Sequence, residues 1–176
     1  MAGVRSPAAG VVFAAVLVAL SLTSLHLSSP PHPSSPPHLS SPGLRGGTWL
    51  TWGVLGAAML CLVPLLVHLR TPGPALATAQ LPVWASVVTA VAVAEELLLR
   101  GALWDALDGW PGRPWLTLTV TSLAFALMHW PFYGGAALPL DLAVGLLLGS
   151  LRWLTGGWAG PAVAHTLADL AGWWLR

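Results

Sequence analysis

Two adjacent glutamates and an arginine lie inside a segment that is otherwise apolar. Residues 91–104 read VAVAEELLLRGALW, which sets Glu95, Glu96 and Arg100 among valines, alanines and leucines. The whole chain of 176 residues has only 7 Lys or Arg and 6 Asp or Glu. A charged side chain at the centre of a membrane helix costs about 2.5–3.5 kcal/mol on insertion scales, so three of them together need a physical reason.

Pairing accounts for two of these three charges. Glu96 and Arg100 are spaced i, i+4 with the acid first, which is the better orientation for an ion pair within a helix. Glu95 is rotated by about 100° from Glu96 and has no basic residue one turn away. A purely structural alternative is that all three pack helices together, but Ser or Asn would do so at lower cost. An unpaired Glu95 therefore indicates a functional site that faces the interior of a helix bundle.

Three more polar side chains stand out in other apolar segments. SLAFALMHWP ends one segment with His129, and AVAHTLADLAGWW places His165 and Asp169 at i, i+4 on one helical face. Glu95 and His129 each lie 17 residues from Gly112, the centre of the turn GWPGRP. Because both helices of an antiparallel hairpin rise about 1.5 Å per residue, we expect Glu95 and His129 to lie at the same depth. The same counting does not place His165.

A carboxylate near imidazoles has the right chemistry for hydrolysis. In a water-poor cavity the carboxylate can act as a general base on water, while the imidazoles orient groups or stabilise developing charge. The same residues can instead hold a divalent metal whose bound water is the nucleophile. The HExxH motif of zinc proteases is absent from the sequence, and residues 149–152 lack the nucleophile motif of a rhomboid-like serine protease.

The composition places these residues in a membrane protein. Hydrophobic residues make up 56% of the chain and charged residues 7%, against about 25% charged residues in soluble domains. Six apolar segments approach the length of about 20 residues that a spanning helix needs. They are 8–27, 48–69, 82–108, 114–131, 136–154 and 158–175. We therefore predict an all-α, polytopic membrane helix bundle of about six transmembrane helices, a multi-pass protein of the cell membrane with lipid as a partner.

The net charge and the order of the segments say less about function than the motifs do. The net charge of +1 gives no case for a nucleic-acid partner, and arginines flank both sides of the predicted bundle equally, so orientation stays open. Arg5 followed by an apolar run also fits a signal anchor or signal peptide, although no clear cleavage site follows. We predict four parts: a transmembrane helix in 1–27, a Pro/Ser-rich linker in 28–47, a second transmembrane helix and loop in 48–81, and a core in 82–176. In the linker, His32 and His38 have no fixed geometry with which to bind a metal.

The three polar patterns together resemble the motifs of one family. EELLLR resembles the EExxxR motif of the CPBP family, which is also called Abi and contains CAAX prenyl endopeptidases and bacteriocin-processing or immunity relatives. FALMH, which ends at His129, resembles its FxxxH motif, and HTLAD, which ends at Asp169, resembles its HxxxN/D motif. All three occur in the family's order on separate apolar segments of residues 82–176. The resemblance implies an all-helical intramembrane protease with a peptide or protein substrate.

The resemblance also implies a role for each residue of the first two motifs. Glu95 would be the base that activates water, with Glu96 and Arg100 as its supporting pair. His129 would orient Glu95. Family members include enzymes described as metalloproteases, and a metal-free glutamate mechanism has also been proposed for the family. The resemblance therefore leaves two possibilities: a mechanism that uses a divalent metal, for example zinc, and a metal-free mechanism.

The third motif departs from the pattern of the prenyl endopeptidases. His165 and residue 169 would stabilise the oxyanion, but position 169 is Asp here, where those enzymes resemble one another in having Asn. An Asn amide can donate a hydrogen bond, whereas an ionised carboxylate only accepts. Asp169 must therefore be protonated, orient His165, or ligate a metal. In the last case His129, His165 and Asp169 are the expected protein ligands.

Two readings outside catalysis stay open. A non-catalytic immunity or binding protein of the same family would use the polar cluster to bind a partner helix. A proton-coupled transporter would use the Glu, His and Asp side chains as a proton relay. Internal repeats would favour a transporter, and none is visible in the sequence.

Overall fold

The described part of the chain is entirely helical. The computed structural model describes residues 7–27, 48–71, 73, 80–108 and 114–175. Its helices are α1 (Pro7–Leu27), α2 (Thr48–Arg70), α3 (Leu81–Glu96), α4 (Trp104–Asp108), α5 (Pro114–Tyr133), α6 (Leu138–Thr155) and α7 (Ala159–Ala171), with a π-helical segment (Leu97–Leu103) and a 3-10 turn (Gly135–Ala137). The predicted all-α fold is confirmed. The Pro/Ser-rich linker with its two histidines and most of the turn GWPGRP lie outside the described residues.

Long apolar helices account for the membrane character of the chain. By length and composition, three stretches of the described residues are able to cross a membrane: Thr48–Arg70, Leu81–Leu107 and Gly135–Thr155. A shorter apolar helix covers Ala8–Thr23. On α2 the large side chains of Leu62, Val63 and Leu66 are each half exposed or more. Such a surface is unfavourable in water and matches hydrocarbon, which indicates a membrane protein.

The last helix is shorter than its apolar segment predicts. The segment 158–175 predicts a spanning helix, whereas α7 has 13 residues and the chain turns at residues 172–174. At 1.5 Å per residue, α7 is about 20 Å long, less than the hydrocarbon core of about 30 Å. It lies between α2 and α3 instead, packed against both. Its position brings the third motif next to the first.

Small residues allow the remaining helices to approach closely. α5 packs along α6, and a Cβ atom placed on Gly145 of α6 would lie 3.0 Å from Ser122 Cα of α5. Glycine at that position therefore sets the distance between the two helices. Leu99, Phe125 and Leu148 form the centre of the core where α5 and α6 meet the π-helical segment.

The helix that carries the first motif changes its winding just after the two glutamates. The sequence predicts one helix over 82–108, and the structure has α3 and α4 joined by the π-helical segment Leu97–Leu103. In an α-helix the amide of Trp104 would donate to the carbonyl of Arg100. Here it donates to the carbonyl oxygens of Leu99 and Gly101. The Arg100 oxygen accepts instead from Arg152 Nε of α6, at 2.8 Å. Short π-helical turns of this kind are frequent at functional sites.

Candidate active site

The predicted ion pair of the first motif is present and completely buried. Arg100 Nη1 donates to Glu96 Oε1 at 2.9 Å, and both side chains are 0% exposed. Arg100 Nη2 donates to the carbonyl oxygen of Gly145 at 2.9 Å, and the guanidinium lies 5.0 Å from the centre of the Phe125 ring. These contacts hold the Arg100 side chain in a single position. Removing the partner of a buried charge is strongly destabilising, so we expect the pair to contribute to the stability of the fold.

Glu96 also holds a histidine from the third motif. His165 Nδ1 lies 3.0 Å from Glu96 Oε1, the same oxygen that accepts from Arg100. An ionised carboxylate can only accept, so Nδ1 is the donor. This hydrogen bond fixes the imidazole orientation and turns Nε2 toward Glu95. Sequence counting leaves His165 unplaced, and the packing of α7 on α3 places it.

Glu95, unlike its neighbour, is hydrogen-bonded to neither Arg100 nor His165, although both glutamates have one buried oxygen without a partner within the described residues. Its side chain is buried, and Oε2 lies 3.8 Å from His165 Nε2. Asp169 Oδ2 lies 3.7 Å from the same nitrogen. Within the described residues neither oxygen has a hydrogen-bond partner. Separations of this size are too long for a direct hydrogen bond.

His129 and Glu95 line the same cavity. Its Nδ1 lies 2.8 Å from the carbonyl oxygen of Phe125. A carbonyl only accepts, so Nδ1 donates and, in the neutral ring, Nε2 is left as an acceptor. The ring packs against Phe125, with centroids 4.4 Å apart, and stacks on Tyr133 at 5.7 Å. His129, Tyr133 and Glu95 line one cavity of about 530 Å³.

The three residues expected to ligate a metal do not converge. His165 Nε2 and Asp169 Oδ2 lie 3.7 Å apart on α7, whereas His129 lies on α5. Across the described ranges, no group of three or more His, Cys, Asp or Glu is arranged so that it could hold a metal ion. The donor set of His129, His165 and Asp169 therefore does not fit a metal in this arrangement, and no chemical step is derived through one.

Three residues near the site were not assigned a role from sequence. Phe125, the first residue of FxxxH, contacts Arg100, His129 and His165, so it is the hub on which the motifs pack. Tyr133 lies one turn after His129, a spacing that marks the same helical face. Arg152 is different, because nothing in its sequence surroundings connects it with a motif 52 residues earlier.

The fold and the site define a helical membrane protein in which the Glu and His side chains of the site come from three separate helices. Residues 77–171, more than half of the chain, match the family described as type II CAAX prenyl endopeptidase, Rce1-like. All three motifs lie within that stretch. The chain belongs to this family, which is a family of proteases. No curated protein and no solved structure matches the chain.

Proposed function

We propose that the protein is an intramembrane endopeptidase that hydrolyses a peptide bond in or near the membrane, with Glu95 as the base that activates water. One observation carries the proposal. Two buried carboxylate oxygens that have no partner within the described residues, Glu95 Oε2 and Asp169 Oδ2, flank His165 Nε2 at 3.8 and 3.7 Å. A water molecule bound among these atoms would have a base on one side and a fixed imidazole on the other.

The proposed reaction uses Glu95 twice. Water transfers a proton to Glu95 as its oxygen attacks the carbonyl carbon of the scissile bond, which gives a tetrahedral oxyanion. The protonated Glu95 then returns the proton to the leaving amine as the C–N bond breaks. The products are a carboxylic acid, which keeps the second proton of the water, and an amine, and Glu95 ends in its starting state. His129, which lines the same cavity, orients Glu95 and the water through Nε2.

His165 is the proposed donor to the oxyanion. As an imidazolium it donates through Nδ1 to Glu96 and through Nε2 to the oxygen on which negative charge develops. Asp169 cannot donate when ionised, so its proposed role is to orient His165. Glu96 and Arg100 act on the reaction through His165 and touch neither water nor substrate.

The proposed substrate is a peptide or protein with an apolar segment, and the proposed location is the cell membrane, where the enzyme would span the bilayer several times. Apolar helices long enough to span support this location. A substrate segment that lies in the hydrocarbon layer of the membrane would reach the cavity without leaving that layer.

The proposed function is tested by comparing the proteins of cells that carry the wild type or Glu95→Gln. Gln keeps the shape of the side chain but cannot accept a proton, so one or more membrane-protein fragments are expected only with the wild type. Asp105→Asn is the matched control, because Asp105 is an acid on the continuation of the same helix, with a side chain 55% exposed. Quantitative proteomics of isolated membranes measures the difference. Identical fragment patterns for wild type and Glu95→Gln would refute a proteolytic function.

A further inference from the structure

Tyr133 has a fixed position beside His129, and the reaction proposed above gives it no role. It is the last residue of α5, because Gly134 adopts a φ of 76°, a backbone conformation that residues with a side chain rarely take. The Gly134 amide donates to the carbonyl oxygen of Trp130 at 2.8 Å and closes the final turn. Tyr133 lies four residues after His129, and the two rings stack with centroids 5.7 Å apart and planes 16° apart. This stacking holds the phenol ring alongside the imidazole.

The cavity wall offers few hydrogen-bond donors to a substrate. The described residues that line it are apolar apart from Glu95, His129 and Tyr133, and the α1 wall contributes only Ala, Val and Phe side chains. Glu95 is the proposed base. His129 Nδ1 already donates to the carbonyl oxygen of Phe125, so Nε2 of the neutral ring is an acceptor. The donor that this wall presents is therefore the Tyr133 hydroxyl.

The Tyr133 hydroxyl and His165 share two neighbours. The hydroxyl is close enough to Glu95 and Asp169 to interact electrostatically with both carboxylates. The same two carboxylates lie 3.8 and 3.7 Å from His165 Nε2, the proposed donor to the oxyanion. Both donors therefore lie around one pair of acids, although Tyr133 comes from α5 and His165 from α7.

With His165 alone, the oxyanion of the proposed reaction would have a single side-chain donor. Negative charge develops on one oxygen, and sites for such oxyanions combine several donors that are in place before the reaction. Asp169, one turn after His165, cannot donate when ionised. A phenol keeps its proton at neutral pH and can donate. Residue 169 therefore supplies no donor, and Tyr133 lies near enough to the same acids to supply one.

From these observations we infer that Tyr133 is a further catalytic residue, which donates a second hydrogen bond to the oxyanion alongside His165. The inference rests on the proposed function, since it concerns the same site. The phenol O–H bond stays intact throughout, so its hydrogen bond strengthens as charge develops and no proton leaves Tyr133. Water, Glu95 and the leaving amine exchange protons as before. The group that Tyr133 recognises is a negatively charged oxygen on a tetrahedral centre.

Tyr133→Phe tests this role, because it removes the hydroxyl and keeps the ring that stacks on His129. Thr119→Val is the matched control. It removes a hydroxyl from the same helix, one that donates to the carbonyl oxygen of Trp115 at 2.8 Å and lies outside the cavity lining. The full chain in lipid nanodiscs would be assayed on a quenched-fluorescent peptide that spans the bond cleaved in the proteomic comparison.

We expect Tyr133→Phe to lower kcat by about 100-fold with KM unchanged, since the hydrogen bond strengthens only as charge develops. Thr119→Val should match the wild type, and thermal unfolding should be the same for all three proteins. An unchanged kcat in Tyr133→Phe, or a loss that appears only in KM or in thermal stability, would overturn the inference.

A binding experiment separates this inference from the proposed chemistry. The probe is a peptide of leucines and alanines in which a phosphinate replaces one amide, so that a tetrahedral phosphorus carries a charged oxygen. The same peptide with its ordinary amide is the reference. The wild type and Thr119→Val should bind the phosphinate about 100-fold more tightly than the amide. Tyr133→Phe should lower this preference by about tenfold.

Each outcome of the binding experiment decides between the two proposals. A lower preference in Tyr133→Phe supports the donor even if no peptide is ever cleaved, an outcome that would count against the protease alone. An unchanged preference in Tyr133→Phe, or no preference for the phosphinate in the wild type, would refute Tyr133 as a donor to the oxyanion.

Discussion

Two neighbouring side chains, Glu95 and Glu96, enter opposite environments. Glu96 is 0% exposed and accepts from Arg100 and His165 through a single oxygen. Each glutamate has one buried oxygen without a partner within the described residues, but of the two only Glu95 lines the cavity, which is bounded mainly by apolar side chains. A rotation of about 100° between consecutive residues of a helix is enough to separate them. The comparison indicates that the Glu96 side is a rigid support, whereas the Glu95 side is where atoms can react.

The largest expected effect of a single substitution is at Glu95, the glutamate that lines the cavity. Glu95→Gln should lower the rate of proteolysis by about 10²–10⁴-fold, because it removes the general base. The free energy of unfolding should change little, since Oε2 has no partner within the described residues. Peptide cleavage and thermal unfolding of the purified protein measure the two quantities. A variant with full activity would show that Glu95 is not the base.

The next largest effect is expected at the Glu96–Arg100 ion pair and is an effect on the free energy of unfolding. Arg100→Ala leaves Glu96 buried without its ion-pair partner, which should cost about 3–5 kcal/mol of unfolding free energy. Arg100→Ala combined with Glu96→Gln should recover much of that loss, because the uncompensated charge is gone. Denaturant titration in detergent measures both variants. If the double variant is no more stable than the single one, the pair contributes nothing as a pair.

Asp169 tests how the two glutamates are connected. Its Oδ2 lies 3.7 Å from Nε2 of His165, the residue that bonds to Glu96 and lies 3.8 Å from Glu95. If Asp169 only holds His165, Asp169→Asn should keep activity within about tenfold of the wild type, because the amide oxygen can still accept and the amide nitrogen can donate to the oxyanion. If it ligates a metal, the same change should lower metal content and activity together. Peptide cleavage with and without a chelator, alongside elemental analysis, distinguishes the two. Loss of activity in chelator, restored by zinc, would contradict the metal-free reaction.

The smallest effects are expected at the π-helical segment. Arg152→Ala removes the donor to the Arg100 carbonyl oxygen and should cost about 1–3 kcal/mol of unfolding free energy. Asp105→Asn removes the other partner of Arg152, at 2.9 Å, and should cost only about 0–1 kcal/mol because Asp105 is largely exposed. Denaturant titration of the two variants side by side gives the comparison. Equal losses would mean that the backbone contact of Arg152 does not stabilise the turn.

The sequence by itself determined the class of the fold and which residues to examine. The apolar segments predict helices because a helix of about 20 apolar residues satisfies its own backbone groups in hydrocarbon, and the described part of the chain is helical. The spacing of Glu96 and Arg100 predicts their ion pair because an i, i+4 contact depends on the helix alone. Local geometry of this kind needs no knowledge of other helices.

Tertiary structure alone decided how the motifs meet. His165 bonds to Glu96 across 69 residues of sequence, and Arg152 reaches the backbone of Arg100 across 52. Neither contact follows from spacing, because each depends on where a separate helix packs. The cavity has the same origin, since its α1 wall and its catalytic residues come from distant parts of the chain. Helical periodicity fixes which residues share a face, but the packing of one helix on another fixes what each face meets.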